Sequence, residues 1–211
     1  KKYFPPYERA IDAGVGSIMI SFNSIENIKC HGSYTVITDW LKHELGFTGI
    51  VVSDWQGIDE IPGDYQSDII LGINAGLDMI MVPGAVIWGG KDFRTFISLL
   101  KQAVLDGQIE MSRIDDAVTR ILKVKYKFGL FHHPLSSEES LSLIGSDAHR
   151  LLARQAVRES VVLLKNEASI LPLSSSLSHI HVIGTGADDI GFQSGGWTIE
   201  WQGQRGNITK G

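Results

Sequence analysis

Three short apolar runs punctuate the first half of the chain: residues 16–21 (GSIMIS), 49–53 (GIVVS) and 77–82 (LDMIMV). Each is near-continuous rather than alternating, the pattern of strands covered on both faces in a parallel sheet wrapped by helices. Between the first two, residues 34–45 (YTVITDWLKHEL) bring Val36, Ile37, Trp40, Leu41 and Leu45 to one side of a helix, and Gly46 supplies a stop. The spacing predicts further helices over residues 67–75, closed by Gly76, over 92–106, and over 112–127. The last has Ser112 as its N-cap and Gly129 just past its end. Strands alternating with helices in this way are βα units of an α/β fold.

After Gly129 the pattern changes. Residues 129–147 carry His132, His133, Pro134 and a Ser/Glu cluster, and read as a linker between domains. A helix around 148–159 and apolar strands at 161–164 and 179–183 then open a second α/β unit. Three βα units cannot close a barrel, which takes eight strands to satisfy every edge. The chain is therefore expected to begin partway round a barrel and to stop soon after a second domain starts.

Composition adds exclusions. With 211 residues, 43% hydrophobic and 20% charged, the chain can bury a core. A net charge of -5 and a pI of ≈ 5.8 offer no basic stripe for a phosphate backbone, so nucleic acid is not an expected partner. No apolar run approaches the roughly 20 residues that cross a bilayer, so no membrane partner is expected. The opening KKYFPP has basic residues without an apolar stretch behind them, unlike a signal peptide. Cys30 is the single cysteine, which rules out an intrachain disulfide and fits a small semi-buried residue.

The chemistry concentrates in residues 49–57 (GIVVSDWQG), where a buried strand runs straight into Ser53, Asp54, Trp55 and then Gly57. In such barrels the catalytic groups stand at the C-terminal ends of the strands. A carboxylate there can attack an anomeric carbon, and a flat indole can stack on the apolar face of a sugar. The structural alternative is that Asp54 simply caps the next helix, and spacing alone does not choose between the two.

The segment 41–54 (LKHELGFTGIVVSD) followed by Trp55 resembles the nucleophile region of glycoside hydrolase family three. Residues 20–32 (ISFNSIENIKCHG), 73–84 (INAGLDMIMVPG), 112–131 (SRIDDAVTRILKVKYKFGLF) and 153–167 (ARQAVRESVVLLKNE) agree with that family in order and spacing. Residues 195–203 (GGWTIEWQG) resemble the sandwich-domain loop of plant β-glucan glucohydrolases and their bacterial relatives. The resemblance implies the C-terminal part of a (β/α)8 barrel of the TIM type over 1–128, a linker over 129–147 and the beginning of an α/β sandwich domain over 148–211.

What the resemblance implies for function is a retaining, exo-acting β-glucosidase or β-glucan glucohydrolase, working through a covalent glycosyl-enzyme and without cofactor. Asp54 would be its nucleophile. Trp55 and Trp201 would clamp the sugar from two sides, with ordinary core packing as their structural alternative. Met81 would lie close to the terminal glucose pocket, although a methionine on a strand is by default core. Phe22 stands where relatives often carry a tyrosine, so a hydroxyl able to bond the nucleophile is expected to be missing. Lys29 and His31 form a KxH pattern that reads foremost as a loop-holding pair. Trp197, after two glycines, reads as part of a tight turn.

A retaining enzyme also needs a proton-shuttling carboxyl roughly 5 Å from the nucleophile. Family resemblance places it beyond residue 211 and argues against Glu200, whose loop in relatives contributes aromatics. The glucose-gripping residues are likewise expected before Lys1, so the 211 residues alone should turn over almost nothing. The expected substrates are β-linked gluco-oligosaccharides or aryl β-glucosides, and the resemblance favours a secreted or periplasmic location. Two alternatives are a non-catalytic carbohydrate-binding relative and the β-N-acetylglucosaminidase branch, against which residues 195–203 argue. The run 184–189 (GTGADD) fails a dinucleotide fingerprint because aspartate replaces its last glycine, and the seven histidines show no metal spacing.

Overall fold

The computed structural model describes residues 3–84, 91–197 and 202–206. These fall into two compact units, 1–135 and 136–211.

In the first unit, β1 (Ser17–Met19) and β4 (Ile50–Val52) pair in parallel with Ile18 opposite Val51. Met79 joins them through a parallel bridge to Val52. The three apolar runs thus become three adjacent strand positions of one parallel sheet. The third is the shortest, because Met81 N–H leaves the backbone ladder and donates to the Ser53 hydroxyl at 2.8 Å. The expectation that these strands are covered on both faces holds for Ile50 and Val51 but not for β1, where Ile18 is buried and Met19 is half exposed.

The connection after β1 holds a feature the hydrophobic pattern did not announce. Ser24–Ile25 (β2) and Ile28–Lys29 (β3) form a two-residue hairpin around Glu26 and Asn27, both with left-handed φ of 51° and 65°. That is the geometry of a type I′ turn, here with Asn27 as the only favoured residue type. The chain next makes a short 3₁₀ turn at Cys30–Gly32 and enters a helix over Thr35–Glu44. This helix is π-wound, so Ile37 and Lys42 stand one above the other, and both are buried together with Leu41. Lys42 was not expected on the buried face, whereas Trp40 and Leu45 are only half buried.

The helices follow their caps. An unanticipated α1 (Pro5–Asp12) opens with prolines in its first turn, where a missing N–H costs nothing. Tyr65–Ala75 (α2) begins at a capping box between Asp64 and Ser67 and ends at Gly76, whose φ is +117°. Asp92 caps α3 (Phe93–Leu105). The next helix, α4 (Met111–Lys127), starts one residue earlier than expected, so Glu110 and not Ser112 is its N-cap residue. The core unites Ile18, Ile37, Leu41, Phe47, Val51 and Ile58 with Ile69, Ile73 and Leu77 of α2 and its exit.

The second unit is more loosely built. Ser146 caps α5 (Asp147–Ser160), and a short 3₁₀ stretch at Glu138–Leu143 lies within the expected linker. The two expected strands at 161–164 and 179–183 do not form, and Leu164 and Ile183 are each 91% exposed. β-branched runs supply propensity, but a strand exists only where a neighbour takes up its N–H and C=O groups. Asp189, the residue that spoils the dinucleotide pattern, instead caps the five-residue α6 (Ile190–Ser194). It accepts from Phe192 N–H and Gly206 N–H, each at 2.8 Å, and those bonds hold its carboxyl below the usual range.

Candidate active site

Asp54 emerges two residues past β4, at the C-terminal edge of the parallel sheet, and its side chain is half buried. Its backbone is held from both directions. The N–H donates to Nε2 of His31 at 3.0 Å, and the carbonyl accepts from the Ser53 hydroxyl at 2.9 Å and from Gly57 N–H at 3.0 Å. Ser53, fully buried, also receives Met81 N–H, so one hydroxyl ties the ends of two neighbouring strand segments together. The Asp54 carboxylate accepts Trp55 N–H at 2.6 Å through Oδ1. The structural alternative does not hold: the next helix, the 3₁₀ turn at Gly57–Glu60, has Gln56 as its N-cap residue, and the Asp54 carboxylate meets only the adjacent Trp55 N–H, with one of its two oxygens.

Around it stand several of the residues singled out in the sequence. Trp55 is 45% exposed, so it is no core residue, and its indole is available as a flat surface. Phe22 lies just past β1, and its ring sits 5.8 Å from that of His31 at a tilt of 59°. Met81 is half buried beyond the third strand position. Trp201 and Glu200 lie outside the described residues, and Trp197 is highly exposed with a left-handed φ of 64°.

The KxH pattern predicts a loop-holding pair, and Lys29 ties its loop to Glu60, Nζ to Oε2 at 3.2 Å. His31 itself does more. Its side chain is wholly buried, and because Nε2 accepts the Asp54 N–H the ring is in the neutral, Nδ1-protonated form. Burial pulls its pKa below the ordinary value; Asp54 and Glu60 oppose that pull and Lys29 adds to it. A Cβ on Gly57 would come within 2.2 Å of Nε2, so only glycine lets the loop pass this close to the ring.

The other end of β4 is built from charge. Asp78 accepts from Val51 N–H at 2.9 Å and from Lys42 Nζ at 2.8 Å, and pairs with Arg113. Asp116 joins Arg113 to Arg120, and Arg120 donates to the carbonyl of Phe47 at 2.9 Å. Burial lowers the pKa of Lys42 despite the Asp78 partner. Burial works against ionisation of Asp116, but Lys42, Arg120 and Arg113 outweigh it and hold that carboxyl below its usual range. Charge paired in this way at the N-terminal end of a parallel strand serves stability, since the catalytic groups of βα folds stand at the opposite end.

A fourth carboxylate is less well provided for. Asp68 on α2 is buried with one oxygen lacking a hydrogen-bond partner, and burial, with Asp59 and Asp64 nearby, pushes its pKa up to about 6. Among the described residues no group of three or more His, Cys, Asp or Glu could hold a metal ion.

A carboxylate and an exposed indole at the C-terminal edge of a parallel βα sheet define a class of candidate hydrolase site. The comparisons with known proteins sharpen that class. Residues 1–124 match the glycosyl hydrolase family 3 N-terminal domain and residues 161–209 the C-terminal domain of the same family. The chain belongs to glycosyl hydrolase family 3. It is 35% identical to a lysosomal beta glucosidase of Dictyostelium discoideum over 96% of its length, and 34% identical to a periplasmic beta-glucosidase of Salmonella typhimurium over 93%. The crystal structure of an exo-1,3/1,4-beta-glucanase from a Pseudoalteromonas species superposes with a TM-score of 0.77 at 42% identity, over 92% of this chain and 24% of that one. The chain spans about a quarter of each curated relative, 25% and 26%.

Proposed function

We infer that this chain carries the nucleophile-bearing part of a retaining, exo-acting β-glucosidase that removes terminal β-D-glucosyl residues from gluco-oligosaccharides or aryl glucosides. In this reading the first unit is the C-terminal part of a (β/α)8 barrel and the second opens an α/β sandwich. The observation that carries it is Asp54: a half-buried carboxylate at the end of a parallel strand, with its backbone fixed on both sides, one oxygen engaged and an exposed indole beside it.

The chemistry follows from that geometry. With Oδ1 accepting Trp55 N–H, Oδ2 is the oxygen that attacks the anomeric carbon as the aglycone oxygen departs with a proton from an acid/base carboxyl. The products of this first step are a covalent glycosyl ester at Asp54 and a free alcohol. Water, deprotonated by the same acid/base group, then attacks the anomeric carbon, the bond from that carbon to the Asp54 oxygen breaks, and glucose leaves with the carboxylate restored. Trp55 supplies a face for the sugar ring, together with Trp201, while Met81 and Phe22 border the pocket. Family membership and relatives named as β-glucosidases support this assignment.

The test is a trapping experiment on the full-length protein. An activated 2-fluoro glucoside should inactivate it with one equivalent bound, and peptide mapping should find the label on Asp54. A label on any other carboxylate rejects the assignment.

A further inference from the structure

We propose that His31 is the positioning residue for Asp54, its neutral Nε2 accepting the Asp54 backbone N–H and so fixing the direction in which the carboxylate leaves the strand. This deepens the assignment of Asp54 as nucleophile and rests on it.

Three observations converge on the ring. First, His31 is the only side chain among the described residues that bonds the Asp54 N–H, and it does so from a wholly buried position 23 residues earlier in the chain. Second, the surroundings are shaped to hold the ring still: Phe22 packs at 5.8 Å, and Gly57 leaves room that any side chain would fill. Third, Nδ1 is buried without a hydrogen-bond partner, so the ring bears an unsatisfied donor in order to present Nε2 as an acceptor. A histidine kept only to fill space would be replaced by an apolar residue of like volume without that penalty. The charged groups facing the ring are Asp54, Lys29 and Glu60, and burial keeps it neutral against the two acids.

The consequence is geometric. A strand-end aspartate has a peptide plane on either side, and the carboxylate direction follows from their orientation. The following plane is fixed through the Asp54 carbonyl by Ser53 and Gly57; the preceding one is fixed by His31. Removing the acceptor frees that plane and leaves a partly buried N–H unpaired, and a misplacement of about 1 Å in a reacting group can lower a rate about 100-fold.

The experiment uses the full-length protein with His31→Gln, whose amide oxygen reaches the place of Nε2, and His31→Met, of similar shape but without a comparable acceptor. Trapping of the wild type by the 2-fluoro glucoside is run first, with mapping of the label. With the label on Asp54, His31→Met should trap about 30–100-fold more slowly and lose kcat in proportion, with KM within about threefold; His31→Gln should stay within about fivefold of wild type. A folded His31→Met that traps at the wild-type rate overturns the positioning role and leaves the nucleophile assignment standing. A label elsewhere in the wild type overturns both. If His31→Met does not fold, Gly57→Ala, whose Cβ would displace the ring, decides in its place: trapping slowed about tenfold or more in the folded variant supports the role, and any smaller change overturns it.

Discussion

The two ends of β4 are about 10 Å apart, the length of three extended residues, and each presents an aspartate to the sheet. At the N-terminal end Asp78 is sealed between Lys42 and Arg113, with Asp116 and Arg120 completing the network, and its oxygens also serve the Val51 N–H. At the C-terminal end Asp54 forms no ion pair among the described residues; neutral groups hold its backbone and the carboxylate reaches a half-exposed position. The same residue type is cemented in place at one end and left available at the other. The number of cations aimed at the carboxylate separates the roles, and this is why charge removal should act oppositely at the two ends: on chemistry at Asp54 and on folding at Asp78.

The largest effect is expected from Asp54→Asn. Hydrolysis of an aryl glucoside by the full-length protein should fall by about 10⁴-fold or more, equivalent to about 5.5 kcal/mol of barrier. The unfolding midpoint should barely move, because the amide can still accept Trp55 N–H and no cation is orphaned. Retention of activity in the variant would sink the nucleophile assignment. The mirror-image change, Asp78→Asn, leaves Lys42 and Arg113 with Asp116, already shared with Arg120, as their remaining counter-charge, and should destabilise by about 3 kcal/mol. Denaturant titration measures it, and the comparison between strand ends breaks down if Asp78→Asn is the more harmful to kcat of the folded fraction and the less harmful to stability.

How much of this contrast was legible in the sequence depends on range. Asp54, Trp55 and the strand before them are contiguous, so their place at a strand end could be read from the run GIVVSDW. Gly76 is local too and closes its helix as expected, whereas the capping box at Asp64 starts that helix at Tyr65, two residues before the expected 67, and Asp92 caps the helix it was expected to lie within. What could not be read was set by partners far along the chain: Lys42 buried against Asp78, or His31 under Asp54. A lysine on a helix is ordinarily solvated, and only the charge pattern Arg113, Asp116, Arg120 at three- and four-residue spacing hinted at a network for it. Trp201 illustrates a different limit, since it lies outside the described residues and its role remains a proposal from family likeness. In the second unit the apolar runs at 161–164 and 179–183 show propensity without a pairing partner.

Gly57→Ala probes the quieter end of the comparison. Its Cβ would be placed 2.2 Å from Nε2 and 2.5 Å from Cε1 of a ring that has nowhere exposed to go. Overpacking of this kind typically costs about 1–3 kcal/mol, and here the displaced ring also releases the Asp54 N–H. A drop in kcat of about tenfold or more should accompany the lower unfolding midpoint. If stability falls while kcat is untouched, His31 holds the loop and has no bearing on Asp54.

The smallest effect should come from Asp68, a carboxylate that is buried like Asp78 but has like charges for neighbours in place of a cation cage. Its pKa is pushed up to about 6 by burial, helped by Asp59 and Asp64 and opposed by Lys91, whereas in the unfolded chain it titrates near 4. Between those values the folded state holds the proton and the unfolded state does not, so each rise in pH through this window removes stability, and above about pH 6 the full penalty is present. Asp68→Asn abolishes the charge while keeping the shape. It should therefore raise stability by about 1–2 kcal/mol at pH 7 and have almost no effect at pH 4. Denaturant titrations at the two pH values measure the difference. An equal change at both would mean that the unpartnered oxygen, rather than the charge, governs Asp68, and that burial without a cation is less harmful here than the contrast with Asp78 requires.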